Sequence, residues 1–478
     1  MRIYNSMTRK KEELVPINPG EVKIYTCGQT VYNDIHMGNA RFYVVYDAAR
    51  KHLERKGYKV AFVQNFTDID DKIIAKANQE GCSAGEVADR YVARARHDLR
   101  ALGVGDATAS PRVTEEMDAI VGMISALLDK GFAYEAGGTV YFAVEKFGGY
   151  GKLSRRNIGE LEAGKRIEVE PGKKCPHDFV LWKPAKDGEP SAPSPWGPGR
   201  PGWHIECSAM ARKYLGDEID IHGGGEDLLF PHHENEIAQS EAATGKPLAR
   251  IWMHCGMLTQ GHRKMSKSRG DFFTVREVLQ KFPPDVVRFF LLSGHYRMPM
   301  EFSEALIESA AAGLGRIKNC AENLKLFRDY GERALPEDEI LSFGRRFDAS
   351  MDDDFNTADA ISVIFELVKY ANQSMAGGDK PARESVALMR LELCGLAGGI
   401  GLALASEAAG DARADAEEER AIEMLVRDRE AAKRNKDYAG ADRIRAELAG
   451  MGVAVEDTRQ GPRWKLRGRE NWEILLKH

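Results

Sequence analysis

Two short runs in this chain suit the handling of phosphate: His36-Met37-Gly38-Asn39 near the start, and Lys264-Met265-Ser266-Lys267-Ser268 far downstream. Imidazole, backbone N–H groups and flexible lysines stabilise charge that develops on phosphate oxygens, rather than supplying a strong nucleophile. They point to ATP chemistry, in which a carboxylate attacks the α-phosphate and pyrophosphate leaves. Gly38 allows close backbone approach, and a helix opening there turns its positive dipole end toward an anion. Lys264 and Lys267 flank hydroxyl residues in a loop bounded by Gly261 and Gly270. Such a mobile cationic segment can close on a triphosphate.

A second constellation is the run PHHENE, Pro231 to Glu236. Pro231 suits the first turn of a helix, which predicts His232 and Glu236, four apart, on one face. That is metal-ligand spacing. Cys207, within GWHIECSAM, and Cys27, at the end of the first strand, are the candidate thiolates for a zinc site of Cys, Cys, His and Glu. On spacing alone His233 competes as a ligand, and cysteines so far apart are also consistent with plain burial.

The elements that must position these residues alternate between strand and helix. Val22 to Cys27 reads as a buried strand, Gly38 to Lys56 as a helix and Tyr58 to Gln64 as a second strand, with a further helix opening at Asp70-Asp71. Amphipathic helices continue to about Leu102 and from Thr114 to Lys130, followed by a hairpin around Gly137-Gly138. Residues 184 to 202 are too rich in Pro and Gly for regular structure and mark a loop or boundary. The α/β pattern resumes with strands at Ile219 to His222 and Arg250 to Cys255, so the first domain is split by an insertion. From about Ser303 to Leu404 the periodicity is that of a helical bundle carrying the acidic turn MDDDFN. A polar, alanine-rich linker leads to helices at about Arg420 to Arg434 and Tyr438 to Ala449, and to a hairpin over Val453 to Lys465.

The length of 478 residues and 43% hydrophobic content suit a multidomain globular protein of about three domains. There is no apolar leader at the start and no run approaching the length of a membrane span, so a cytosolic location and no membrane partner are expected. Seven scattered cysteines do not form a secreted disulfide framework. The net charge of −5 argues against coating nucleic acid by bulk electrostatics. It leaves room for a local basic face, which Arg459, Arg463, Lys465, Arg467 and Arg469 provide.

HMGN, NFTDIDDKI, GWHIECSAM, DIHGGGEDLLFPHHENEIAQ and KMSKS, in that order, resemble a class I aminoacyl-tRNA synthetase, specifically the cysteinyl-tRNA synthetase family. MDDDFNT and VEDTRQGPRWK are similar to the helical and C-terminal parts of that family, and the resemblance covers nearly the whole chain. It implies an α/β fold with a split Rossmann-like parallel-sheet catalytic domain, a helical bundle and a small C-terminal α+β anticodon-binding domain. The boundaries expected are 1–113 and 201–256 for the two catalytic halves around an inserted segment 114–200, and 257–302 for a stem-contact region with the KMSKS loop. The bundle follows at 303–405, a linker at 406–416 and the anticodon-binding domain at 417–478. A cytoplasmic monomer is implied, acting on cysteine, ATP and tRNA(Cys).

The resemblance further implies about one Zn2+ per chain, held by Cys27, Cys207, His232 and Glu236 and binding the substrate thiolate directly, with Mg2+ accompanying ATP. His36 and Asn39 would stabilise the phosphates, Lys264 and Lys267 the pyrophosphate side, and Asp227 would meet the ribose. Gly28, Thr67 and Trp203 would lie near the amino acid. Lys433 and Arg434 would meet tRNA phosphates, Asp442 and Asp457 would accept from base amino groups, and Trp464 would stack on a base. Two departures stand out: Asn39 replaces a second histidine often found in the first signature, and Arg269-Gly270-Asp271 follows the second where Leu-Gly-Asn is common. An Asn amide still donates a hydrogen bond. A related ligase that joins cysteine to an amino-sugar inositol resembles a synthetase without the last domain, and residues 417–478 argue against that alternative. A non-catalytic tRNA- or zinc-binding derivative would have no need of the pyrophosphate lysines.

Overall fold

Short apolar runs separated by helices force parallel pairing, because a hairpin cannot join strands that far apart. The protein is described by a computed structural model covering residues 1–156, 172–260, 263–264, 273–404, 424–435, 437–450, 453–458, 461–466 and 473–474. It forms two units, Met1–Leu404 and Ala405–His478.

The larger unit opens with a ribbon of β1 (Arg2–Asn5) and β2 (Lys10–Glu13). Its main sheet begins with β3 (Glu21–Thr26), helix α1 (Met37–Arg55) and β4 (Lys59–Gln64). Helices α2 (Asp71–Glu80), α3 (Ala84–Ala101) and α4 (Met117–Asp129) lead to an antiparallel sheet of β5 (Ala133–Ala136), β6 (Thr139–Phe142), β7 (Phe179–Pro184) and β8 (Gly199–Pro201). After α5 (Trp203–Leu215) the chain returns to the first sheet with β9 (Ile219–Gly225), α6 (Glu234–Thr244) and β10 (Ala249–Cys255). That sheet runs β10-β9-β3-β4, all parallel, with Ile24 opposite Ile221 and Thr26 opposite Gly223. Strand β3 thus has β4 on one side and β9 on the other, a topological switch point at whose carboxyl edge a crevice opens.

A small three-stranded sheet follows, of β11 (Leu258–Gln260), β12 (Arg263–Lys264) and β13 (Met300–Glu301), with α7 (Val275–Leu279) and α8 (Pro284–Leu292) between the last two. Four helices complete the unit: α9 (Glu304–Leu326), α10 (Glu337–Asp352), α11 (Thr357–Ala376) and α12 (Arg383–Gly399). In the smaller unit, helical residues 424–434 and α14 (Tyr438–Gly450) precede the antiparallel pair β14 (Val453–Thr458) and β15 (Gly461–Leu466), with β16 (Glu473–Ile474) beside β15. Counting 424–434 as α13, Val426, Leu448 and Val453 form its small core. No helix of the described residues is long and apolar enough to cross a membrane.

Two expectations are corrected. Residues 184–202 are not wholly irregular: Gly199–Pro201 pairs with β7, Trp182 opposite Pro201, and Arg200 is buried between Asp71 and Glu189. The glycines serve contact rather than disorder, since a Cβ on Gly202 would fall 1.9 Å from the Val180 carbonyl oxygen. Secondly, the helix expected to open at Pro231 opens at Glu234. Leu229–His233 forms a wider turn broken by extended backbone at Phe230 (φ −143°, ψ 132°).

The long helix α1 is buried on most of its circumference and carries Asp47, 1% exposed at its side chain. Arg288 of α8, equally buried, donates to Asp47 at 2.6 Å and to the carbonyls of Leu102 and Ile400. Burial pushes the Asp47 carboxyl up, but Arg288 and Lys51 outweigh it and hold it below the ordinary aspartate value of 3.8. A depressed carboxyl adds stability that is complete above its unfolded pKa and is lost as pH falls through the folded one. Removing the guanidinium leaves a buried charge short of its main partner, so Arg288→Met should cost about 3–5 kcal/mol. Urea unfolding at pH 7 checks this, and the variant should also lose less stability than the parent below about pH 4.

Candidate active site and metal centre

The carboxyl ends of three strands of the parallel sheet open into one cavity of about 370 Å³. Cys27 and Gly28 follow directly on β3, Gly225 ends β9, and Cys255 ends β10 with Gly256 next to it. Gly28 is obligatory here, since a Cβ would lie 1.6 Å from the Asn65 carbonyl oxygen. Its N–H donates to Asn65 Oδ1 at 2.8 Å.

Across the cavity stand His36, Gly38 and Asn39. His36 is the N-cap of α1, with extended φ/ψ, and its Nδ1 accepts from the Asn39 N–H at 3.2 Å. That bond puts the ring proton on Nε2. The Met37 N–H donates to the Phe273 carbonyl at 3.0 Å, and Val275 N–H to that of Ile35 at 2.8 Å. The first signature is thereby stitched to the residues that follow the second. Of the second signature, Lys264 sits on β12 opposite Thr259, and Lys267 lies outside the described residues. Asp227, on a short turn after β9, and Trp203, at the start of α5, line the same cavity.

Beside the cavity, Cys27, Cys207, His232 and Glu236 place one donor atom each within 4.8 Å of the others, all four buried. Cys27 Sγ donates to Glu236 Oε1 at 3.0 Å, and His232 Nε2 lies 3.0 Å from the same oxygen. Although the helix begins two residues after His232, the His232–Glu236 spacing still brings the pair together. His232 Nδ1 meets His204 Nδ1 at 2.8 Å, and its Nε2 has no hydrogen bond of ordinary geometry. A buried ring nitrogen left so, among two sulfurs and a carboxylate, is a donor set that would suit zinc. A second triple, Cys27, His222 and His233, also clusters. In it His233 Nε2 lies 3.5 Å from Cys27 Sγ while its Nδ1 meets His254 Nε2 at 2.8 Å, and His222 Nε2 is held by Glu236 Oε2 at 2.8 Å.

The electrostatics favour a thiolate. Burial pushes the Cys207 thiol up, but Cys27 and His232 more than offset this and bring it to about 6. Burial opposes charge on His232 too, yet Glu236 and Cys207 raise it to about 10. Burial also raises the Glu236 carboxyl, and His222 and His232 overcome that to keep it ionised.

Thr67 does not line the cavity. It is 1% exposed and its hydroxyl donates to Glu206 Oε2 at 2.8 Å, so it supports the wall from behind. In the smaller unit, Lys433 lies 3.5 Å from Glu430, while Arg434 and Asp442 are exposed on helical residues. Asp457 and Trp464 occupy β14 and β15, opposite Pro462 and Val455.

Several residues of the site went unassigned in the sequence. Asn65 holds Gly28 and receives the Tyr25 hydroxyl, and His204, His222 and His254 stand around the four-donor cluster and the competing His233. Polar residues at the ends of otherwise apolar strands, as in VQN and IDIHGGG, were the available signal.

Comparison with known proteins agrees with this architecture. The model "tRNA synthetases class I (C) catalytic domain" matches residues 13–312, and "DALR domain" matches 346–404. The chain shares its fold with the methionyl-tRNA synthetase of Mycobacterium tuberculosis (TM-score 0.59, 17% identity, 80% of this chain and 89% of that one). Together these define a class I aminoacyl-tRNA synthetase. Residues 408–464 match the "Cysteinyl-tRNA ligase anticodon binding domain". The cysteine–tRNA ligase of Lachnospira eligens is 50% identical over 97% of this chain and 99% of its own. That of Carboxydothermus hydrogenoformans is 50% identical over 97% and 100%. The chain belongs to the cysteine–tRNA ligase family, enzymes that act on cysteine, ATP and tRNA.

Proposed function

We propose that this ligase works through cysteinyl-adenylate, and that Cys27, Cys207, His232 and Glu236 hold a zinc ion that selects the substrate by its thiol. The supporting observation is a four-donor cluster adjoining the cavity that starts at His36 and Asn39. Cysteine and serine differ by one atom, and shape alone separates such pairs by only about 1–3 kcal/mol. A bound zinc ion supplies a soft Lewis-acid seat that a thiolate fills far better than a hydroxyl.

The chain's own groups do the rest. His204 fixes the ring of His232, and His222 holds Glu236, so the donor atoms stay aimed at one point. Trp203, its ring 4.3 Å from that of His232, borders the place where the amino acid sits. Its substrate carboxylate oxygen attacks the α-phosphorus, the bond to the bridging oxygen breaks, and pyrophosphate departs with Mg2+. The His36 Nε2 proton and the Asn39 amide face the phosphates, Lys264 and Lys267 take the pyrophosphate side, and Asp227 accepts from the ribose. The 2′-hydroxyl of the terminal adenosine of tRNA(Cys) then attacks the carbonyl carbon, loses its proton, and AMP leaves.

The test is zinc-replete charging of total tRNA with labelled cysteine beside labelled serine, with elemental analysis of the same preparation. About one zinc per chain and esterification of cysteine only are expected. Metal-free protein that charges cysteine, or equal use of serine, would overturn the zinc assignment.

A further inference from the structure

Arg41 lies two residues beyond Asn39 in α1 and is completely buried. Among the described residues no carboxylate pairs with it. Its Nη1 donates to the carbonyls of Gly256 at 2.8 Å and Met257 at 3.3 Å, and its Nη2 to that of His295 at 3.1 Å. The Nε has no partner. A guanidinium kept inside without a counter-ion is costly, and the return must lie in what those three carbonyls hold in place.

They belong to the far wall of the cavity. Gly256, Met257 and Leu258 line it, and Leu258 begins β11, whose Thr259 pairs with Lys264 on β12. Behind this wall runs the segment 295–298, packed so closely that a Cβ on Gly256 would lie 2.7 Å from the Met298 carbonyl oxygen. That segment is fixed in turn by Asp354 of the acidic turn, which accepts from the Tyr296 hydroxyl at 2.7 Å and from Arg297 Nε at 2.6 Å. Arg41 therefore fastens both layers of the wall to the helix whose first turn is the first phosphate signature.

We propose that Arg41 is a positioning residue for adenylation: its fork sets the distance between His36 and Asn39 on one side and the strand leading to the pyrophosphate lysines on the other. The inference rests on the reading of this cavity as the ATP site. Its effect should be confined to the nucleotide side, because the four candidate metal donors come from the end of β3, α5, the turn before α6 and α6 itself, none of which receives a hydrogen bond from Arg41. Lysine keeps the charge, but a single ammonium cannot reproduce a planar fork across three carbonyls.

The experiment is cysteine-dependent ATP–pyrophosphate exchange by full-length R41K, with zinc content measured and competent sites counted from the adenylate burst. Misplacement on the order of 1 Å can cost about 10²-fold. The rate per competent site should therefore fall about 30- to 100-fold with a raised KM for ATP, while zinc content and KM for cysteine stay within about twofold. R41A should fall further, so that the lysine variant gives partial rescue. Exchange by R41K within about twofold of the parent would overturn the proposal. So would a loss due entirely to fewer competent sites at an unchanged rate per site. Absence of exchange in the unaltered protein would remove the cavity reading itself, and the proposal with it.

Discussion

Cys207→Ala should lower kcat/KM for cysteine in pyrophosphate exchange by about 10³-fold or more, and should bring zinc well below one per chain. Loss of an outer-shell partner alone commonly costs about 10- to 100-fold in metal affinity or activity, and removal of a ligand takes more. The site explains the size of the effect. Cys207 sits buried among Cys27, His232 and Glu236, so the substitution removes one of only four candidate donors. Discrimination against serine should narrow at the same time, because the remaining contacts read shape and not the sulfur. If the variant keeps its zinc and its kcat/KM within a few-fold, the second triple of Cys27, His222 and His233 becomes the seat.

Ending the chain after Leu404 should leave exchange within about threefold and reduce charging of tRNA(Cys) by about 10²-fold or more. Met1–Leu404 contains all the described lining of the cavity and the four candidate metal donors, and it is one of two units. Removing the other takes away residues 408–464, matched by the anticodon-binding model. Each lost base-stacking contact is worth on the order of 1–3 kcal/mol, so a few of them account for the loss. Parallel assays of exchange and charging on one preparation decide it: undiminished charging would place the recognition of tRNA wholly within the first unit.

The alternation of apolar strands with helices made the parallel sheet legible, and the split was visible because the strand pattern stopped after Gln64 and resumed at Ile219. The wider turn before α6 was not. Proline is equally at home at a first helical position and just outside it, and nothing local separates the two at Pro231. The strand Gly199–Pro201 was hidden for a related reason: glycine and proline usually break strands, but here Gly199 and Gly202 permit a contact too close for any side chain. His232 and Glu236 could be paired from their spacing, whereas Cys27 and Cys207 share no local pattern and stood as candidates by their chemistry, with the likeness to a family joining them to the pair. Asn65 showed only as a polar residue closing an apolar strand, and Arg41 left no signal, because its partners are backbone carbonyls, which carry no sequence.

The split sheet also has a consequence in time. Cys27 meets Glu236 across 209 positions, and β3 gains its second neighbour only when β9 exists. At roughly 5–20 residues per second, a ribosome needs about 10–40 s to make that stretch. Throughout that interval one edge of β3 lacks its native partner, and long-range parallel pairing is the slowest kind to form. The four-donor cluster itself is complete only once Glu236 has been made, about halfway along the chain.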